Sequence, residues 1–355
     1  MLHSDVCIAG AGIIGLSLAL ELHRRGARVT VFDQGTPLSE ASTAAAGMLA
    51  AYDPENDRRM LELSRLSLSL YPHFLETLFD LSGALVPFHT STTLQGFGAD
   101  HKPPKNLPAL TDETLRAMVP DINPATRQFI LLSENSLDPR ELASALLSAV
   151  RATSISLHAN TPVRLARTTK DGVEIHANEK TLTAGRFVDC TGAWAFTSSI
   201  PAHLRPVPRK GQMMSVSMPV AMPLHVVIRT PDIYIVPRTT TPECSRVVIG
   251  ATVEDAGFDK SVHREDIARL HALASELFPP LSEATELETW AGLRPATPDR
   301  LPLIGEVSAN HFIASGHYRN GILQAPATAY LMAQLIAGER PEIDLASFAP
   351  FRPAE

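Results

Sequence analysis

The clearest pattern of apolar and polar positions lies near the amino terminus of the chain. A short β-branched run with Val6 and Ile8 leads into glycines, and apolar residues then recur at helical spacing over residues 13–22. A second apolar run over residues 28–32 ends in Asp33. This change from strand to helix to strand periodicity predicts a β-α-β unit.

Three glycines join the first strand of this unit to its helix. In the pattern G-x-G-x-x-G, Gly10 allows a tight turn, Gly12 lets the backbone approach a pyrophosphate, and Gly15 lets helix and strand pack closely. Asp33 is placed to accept hydrogen bonds from an adenosine ribose. The pattern predicts dinucleotide binding, and the alternative is a glycine turn in an ordinary α/β sheet.

A loop of small residues follows over residues 39–49, with three alanines before Gly47. Such residues cannot fill a core layer, but they suit a backbone that lies flat against something large. The alternative is a tight helix start capped by Ser42 or Thr43. The residues alone leave both interpretations open.

Further along, apolar spacing predicts a buried helix over residues 60–81 that is kinked or broken at Pro72. Residues 86–132 change to short β-like pieces with one short helix, which indicates an inserted region. Asp138 fits the N-cap of the next helix, because Pro follows it at the first helical position.

The second half of the chain alternates between sheet-rich and helical stretches. Residues 206–252 read as antiparallel strands, and residues 312–337 repeat the order strand, glycine turn, helix. We therefore expect a mixed α/β fold with two intertwined domains. The predicted Rossmann-like dinucleotide-binding domain comprises residues 1–82, 136–205 and 285–355, and an inserted antiparallel-sheet substrate domain comprises residues 83–135 and 206–284.

Composition and charge exclude several classes of function. The 355 residues are 45% hydrophobic with a net charge of −7, and no dense Lys/Arg run is present, which argues against a nucleic-acid or anionic-membrane partner. No apolar run reaches the roughly 18 residues of a membrane span. Cys7, Cys190 and Cys244 lack metal-site spacing, so we expect no metal, no disulfide framework and a reduced, cytoplasmic location.

With these motifs, the chain resembles the D-amino-acid-oxidase-like FAD-dependent oxidoreductases over nearly its whole length. The branch that it resembles most is the glycine oxidases associated with thiamine biosynthesis. The motifs are the amino-terminal glycine pattern with Asp33 and the stretches 42–48, 138–140, 234–237, 250–252, 290–295 and 316–328. The last two, in this order, are the most specific.

The resemblance implies FAD as a non-covalent cofactor, with the small-residue loop beside the isoalloxazine ring. It also implies that the dinucleotide-binding domain is the FAD-binding domain. The cofactor-binding residues that it implies are Gly10, Gly12, Ile13, Ile14, Gly15, Asp33, Ser42, Thr43, Ala45, Ala46, Gly47, Met48, Val163, Thr191, Gly192, Trp194, Arg294, Arg319, Asn320, Gly321 and Ile322.

For the substrate, the resemblance implies that Arg294 binds an amino-acid carboxylate, that Tyr234 donates a second hydrogen bond to it, and that Arg319 lies nearby. A forked guanidinium suits a carboxylate. The alternatives are a structural salt bridge for Arg294, an ordinary strand aromatic for Tyr234 and support of the flavin loop for Arg319. His317 fits packing better than catalysis.

The implied reaction is oxidative deamination of glycine, sarcosine or a small D-amino acid, with molecular oxygen as acceptor and hydrogen peroxide as product. In this reaction the side chains of the protein position the substrate, and the cofactor accepts the electrons. Val253 stands where the glycine-oxidase pattern has a methionine, which leaves room for a bulkier substrate. A longer hairpin is expected at residues 239–244.

Other functions fit the residues less well. One is a D-amino-acid or sarcosine oxidase or dehydrogenase with another electron acceptor. A tRNA-modifying flavoprotein conflicts with the acidic balance, and a non-catalytic flavin-binding protein conflicts with the presence of Arg294. The resemblance also implies a homo-oligomer, for which a tetramer is the form expected from relatives.

Overall fold

A computed structural model describes residues 3–98, 103–105, 107–178, 180–195, 200–218, 224–238 and 246–354. The hairpin expected at residues 239–244 lies outside these ranges. The strands are β1 (His3–Ala9), β2 (Val29–Phe32), β3 (Thr93–Phe97), β4 (Gln128–Leu132), β5 (Ser156–His158), β6 (Val163–Thr169), β7 (Gly172–Ala177), β8 (Lys180–Asp189), β9 (Val207–Ser217), β10 (Val227–Arg229), β11 (Tyr234–Arg238), β12 (Arg246–Gly250), β13 (Thr285–Ala296), β14 (Leu303–Ser308) and β15 (His311–Ser315). The helices are α1 (Ile13–Arg24), α2 (Ala41–Ala44), α3 (Leu61–Ser82), α4 (Asp112–Met118), α5 (Pro139–Arg151), α6 (Arg264–Leu277) and α7 (Gly321–Ile336).

The first sheet has the strand order β14-β15-β8-β1-β2-β5, and the β6–β7 hairpin extends it from β8. Strand β1 lies between β2 and β8 and is parallel to both. Its alternate side chains enter different cores, with Val6 and Ile8 toward the helices and Cys7 and Ala9 toward the hairpin. The predicted β-α-β unit is confirmed at the centre of this sheet.

Helices α1, α3, α5 and α7 form the core with this sheet. Helix α3 runs without a break from Leu61 to Ser82 through Pro72, so of the predicted kink or break the break is wrong and the kink stays a prediction. Next to Pro72, Tyr71 is buried and its hydroxyl donates to the Ile322 carbonyl of α7 at 2.6 Å. Tertiary packing of this kind can outweigh the local effect of a proline.

The second sheet has the order β13-β9-β12-β11-β10-β3-β4, and all its pairs are antiparallel except β10–β3. Helices α4 and α6 pack on one face, where Ile267 joins the core of Val216 and Ile249. On the opposite face, Val236 and Ala46 share a cluster, so the small-residue loop contacts this sheet. This second face is the one that borders the candidate site.

The boundaries of the two domains stay predictions. Strand β13 begins at Thr285, where the third segment of the predicted FAD-binding domain begins, yet it pairs with β9 of the second sheet. We therefore propose a boundary after β13, near Ala296. In the described ranges, no helix combines the length and hydropathy needed to cross a membrane.

Candidate active site

A cavity of about 380 Å³ is lined by residues from both sheets. It brings together all of the predicted site residues except Gly15 and Thr43, which do not line it. The prediction missed other lining residues, among them Gly211, Met213 and Arg229. No local motif marks these three, because their places follow from how distant strands pair.

The glycine turn between β1 and α1 forms one wall of this cavity. Gly10 has φ +98°, and a Cβ there would lie closer than 3.0 Å to the Cys190 carbonyl. A Cβ on Gly15 would collide with the Gly10 carbonyl, so Gly15 acts through packing rather than by lining the cavity. A Cβ added at Gly12 would meet Ser42 Oγ at 3.4 Å, and the Gly12 residue itself lines the cavity.

Polar side chains fix the backbone around this turn. The Asp33 carboxylate accepts hydrogen bonds from the N–H groups of Ala11 at 2.7 Å and Gly35 at 2.8 Å. Ser42 Oγ accepts from the Ile13 N–H at 2.9 Å, and Thr43 Oγ1 donates to the Leu38 carbonyl. Ser42 and Thr43 therefore do not cap the short helix α2, so that interpretation of the loop is wrong.

The small-residue loop packs against strand β13 through Ala44. A Cβ on Gly292 would meet the Ala44 Cβ at 2.5 Å, and the Trp290 indole N–H donates to the Ala44 carbonyl at 3.1 Å. Gly47 has φ +78°, with no room for a side chain beside the Leu137 carbonyl. The loop is thus held by the second sheet while its backbone lines the cavity.

At the far end of the cavity, the turn after β15 leads into α7. Asn320 is the N-cap of this helix, and Gly321 and Ile322 begin it at the cavity wall. The positive end of the helix dipole favours negative charge there. His317 in the same turn is buried against Thr328 at 3.0 Å, and burial lowers its pKa to about 3, so it is neutral and packs as predicted.

Tyr234 crosses the cavity face of the second sheet. It is in register with Gly250 of β12, which is in register with Met213 of β9. The Tyr234 hydroxyl passes over Gly250 and donates to the Met213 sulfur at 3.0 Å. Burial raises the pKa of the Tyr234 phenol although nearby arginines act in the opposite direction, so the hydroxyl remains a donor at neutral pH.

Arg294 lies beside this tyrosine on the same wall. A Cβ on Gly211 would lie closer than 3.0 Å to three atoms of the Arg294 guanidinium, so this glycine makes room for it. The Arg294 Nη1 donates to the carbonyl of Thr252 at 3.1 Å and to that of Lys210 at 3.4 Å. Among the ion pairs of the described residues, Arg294 has no carboxylate partner, which is consistent with an anionic ligand.

Arg319 has different surroundings. Its guanidinium donates to the Glu55 carboxylate at 2.8 Å and lies 3.2 Å from the Asp53 carboxylate. It lines both the main cavity and a neighbouring cavity of about 210 Å³. Because two carboxylates already balance its charge, Arg319 is better suited to closing this end of the site than to binding a substrate carboxylate.

The loop between β12 and α6 connects the second sheet to the opposite wall. Its Phe258 ring lies 5.2 Å from the Trp194 ring, measured between centroids. Its Lys260 Nζ lies 2.9 Å from the Glu40 carboxylate. Trp194 and Glu40 both line the cavity, so this loop, which we call the 254–262 strap, joins its two sides.

Comparison with known proteins identifies the family. Residues 5–335 match the model of a family described as FAD-dependent oxidoreductases. The chain belongs to this family. It is therefore an FAD-dependent enzyme, as the resemblance implied, and the mixed α/β fold agrees with that of its structural relatives.

The most informative relatives are named as glycine oxidases and as a bifunctional protein ThiO/ThiG. A bifunctional protein ThiO/ThiG from Trichormus variabilis is 35% identical over 97% of this chain, which spans only 54% of that relative. A glycine oxidase from Pseudomonas aeruginosa is 31% identical over 97% of this chain and 98% of its own length. The crystal structure of a glycine oxidase from Geobacillus kaustophilus matches all of both chains with a TM-score of 0.92 at 29% identity.

The cavity fits FAD. Asp33 lines the cavity and would face the ribose, and Gly12 lines it where a pyrophosphate would approach. The small-residue loop and the amino terminus of α7 then line the part that would hold the ring system. Tyr234 and Arg294 complete this part from the second sheet, so the substrate would be bound between that sheet and the cofactor.

Proposed function

We propose that the chain oxidises glycine or another small amino acid with molecular oxygen as electron acceptor. The observation that carries the proposal is the Arg294 guanidinium, which has no carboxylate partner among the described residues and lies beside the Tyr234 hydroxyl over Gly211 and Gly250. This arrangement offers a fork of N–H donors to one carboxylate and, when the Tyr234 hydroxyl turns from the Met213 sulfur, an O–H donor as well.

In this proposal, the residues bind and orient the substrate. Arg294 and Tyr234 hold the carboxylate, which fixes the Cα–H bond relative to the cofactor. The hydride-accepting chemistry would be supplied by FAD bound in this cavity. Glycine, oxygen and water would then give glyoxylate, ammonium and hydrogen peroxide. No side chain is needed as a base if the amine binds unprotonated.

The substrate range depends on the wall near Val253. Its side chain lines the cavity and is 63% exposed, so it does not fill the space in front of the carboxylate site. We therefore include sarcosine and small D-amino acids as substrates. The link to thiamine synthesis, the cytoplasmic location and the homo-oligomer stay predictions.

The test is an anaerobic stopped-flow experiment on the purified holoenzyme. We would mix it with glycine, sarcosine, D-alanine or D-proline, follow the flavin absorbance and then admit air. Bleaching by glycine, with fast recovery and peroxide release in air, supports the proposal. Bleaching only by a larger D-amino acid would show that the enzyme prefers a substrate larger than glycine and that its pocket is wider.

Two results would contradict it. Bleaching without recovery in air would make the protein a dehydrogenase that uses another acceptor. The absence of bleaching with all four amino acids would reject amino-acid oxidation altogether.

A further inference from the structure

A buried glutamine behind the cavity wall connects the surroundings of Arg294 to helix α6. Gln212 lies on β9, is fully buried and does not line the cavity. Its amide N–H group donates to Glu254 at 2.8 Å and to Asp266 at 2.8 Å, and its amide oxygen accepts from the His263 N–H at 2.6 Å. The side chain thus ties three separate segments together.

The backbone of Gln212 adds two contacts to the same region. Its N–H donates to Thr252 Oγ1 at 2.7 Å, and its carbonyl accepts from the Thr252 N–H at 3.3 Å. Thr252 Oγ1 also donates to the Glu254 carboxylate. Thr252 is therefore fixed through both its backbone and its side chain.

The other carbonyl that holds Arg294 is fixed in the same way. Lys210 and Glu254 exchange two backbone hydrogen bonds, at 3.0 and 2.9 Å. Burial acts to raise the pKa of Glu254, but hydrogen bonds from Thr252 and Gln212 and the charge of Lys210 leave it lowered. The carboxylate that receives the Gln212 amide is thus ionised.

We propose that Gln212 is a positioning residue, which holds the Thr252 and Lys210 carbonyls in place and through them orients Arg294 toward the substrate carboxylate. This inference rests on the proposed function, because it takes Arg294 as the carboxylate-binding group. Asp266 assists from the first turn of α6. Neither residue touches the substrate, so both act through the arginine.

The test replaces the amide by an apolar side chain of similar length. In the Gln212→Met holoenzyme, we expect the Kd for acetate, followed by the change in flavin absorbance, and the KM for glycine to rise about tenfold. The value of kcat should change by less than about threefold, because orientation of the bound carboxylate is affected more than the chemistry. Affinity for FAD should be unchanged.

The matched control is Gln334→Met, which makes the same change at a buried glutamine that accepts from the Glu342 N–H near the end of α7. If Gln212→Met does not fold, the Asp266→Ala variant tests the same positioning role. We then expect the acetate Kd to rise about threefold. Its control is Glu265→Ala, which removes an exposed carboxylate from the same turn.

Several results would overturn the inference. One is an unchanged acetate Kd in both Gln212→Met and Asp266→Ala, and another is an equal rise in the controls. Acetate binding requires no turnover, so it decides the role of Gln212 even if the wild-type enzyme does not oxidise glycine. A wild-type holoenzyme that binds neither acetate nor glycine would instead reject the proposed function, and the inference with it.

Discussion

At the residue scale, the proposed carboxylate site depends on one guanidinium. In Arg294→Met, we expect kcat/KM for glycine to fall about 100-fold or more, because removing one partner of a buried charge pair costs about 2–5 kcal/mol. Oxidation of aminoacetonitrile, which has no carboxylate, should change little. An equal loss with both compounds would show that Arg294 supports the fold or the cofactor instead.

The space for this guanidinium comes from a residue without a side chain. In Gly211→Ala, the new Cβ would collide with the Arg294 guanidinium, so we expect at least a tenfold rise in the KM for glycine, or about 1.4 kcal/mol. The control is Gly98→Ala, because nothing lies within 4 Å of its Cβ position. A normal KM in Gly211→Ala would mean that the arginine binds substrate in another position.

At the element scale, the turn before α7 is joined to that helix by a buried neutral histidine. The folded-state pKa of His317 is about 3 against an ordinary 6.5, so below pH 6.5 the unfolded chain takes up a proton that the folded chain does not. Stability must therefore fall as the pH falls from 6.5 toward 3.

In His317→Gln, which cannot titrate, we expect this part of the pH dependence to disappear. Between pH 7 and pH 5, the wild-type free energy of unfolding should fall by about 2 kcal/mol more than that of the variant. Urea unfolding at saturating FAD would measure it. The exposed His225→Gln should behave like the wild type, and parallel pH curves for wild type and His317→Gln would contradict the assignment.

Elements formed by neighbouring residues could be predicted from the sequence, and their tertiary partners could not. The β1-α1-β2 unit and the Asp138 N-cap, which accepts from the Arg140 N–H at 2.8 Å, rest on local patterns. The continuity of α3 through Pro72 could not be predicted, because the contact beside it involves Ile322, which lies 251 residues from Tyr71.

The same limit applies to the candidate site. The family motifs pointed to Tyr234 and Arg294, but the need for glycine at 211 and 250 depends on strand register. The carboxylates around Arg319 belong to Asp53 and Glu55, which lie more than 260 positions away. No periodicity or spacing in the sequence links such distant positions.

At the scale of the whole molecule, the cavity has two walls from different sheets, and the 254–262 strap joins them. In Lys260→Ala, we expect FAD to dissociate about two- to fivefold faster. The reason is that the variant loses the exposed ion pair with Glu40, and such a pair contributes about 0.2–1 kcal/mol. Phe258→Ala should act in the same direction through the lost aromatic contact. Fluorescence of the released FAD after dilution measures the rate.

The control for the strap is Lys170→Ala, an exposed lysine of the β6–β7 turn. Salt should reduce the difference between Lys260→Ala and wild type, because it screens the pair with Glu40. Unchanged release in both strap variants would mean that the strap does not retain the cofactor.

The central position of β1 has a consequence for how the chain folds during synthesis. β1 leaves the ribosome long before its neighbour β8, which ends at Asp189, and before the cavity wall formed by α7, which begins at Gly321. Pairings so distant in sequence are slow to form. The nascent chain can therefore complete the FAD cavity only after the start of α7 has left the ribosome, although β1 and α1 leave it much earlier.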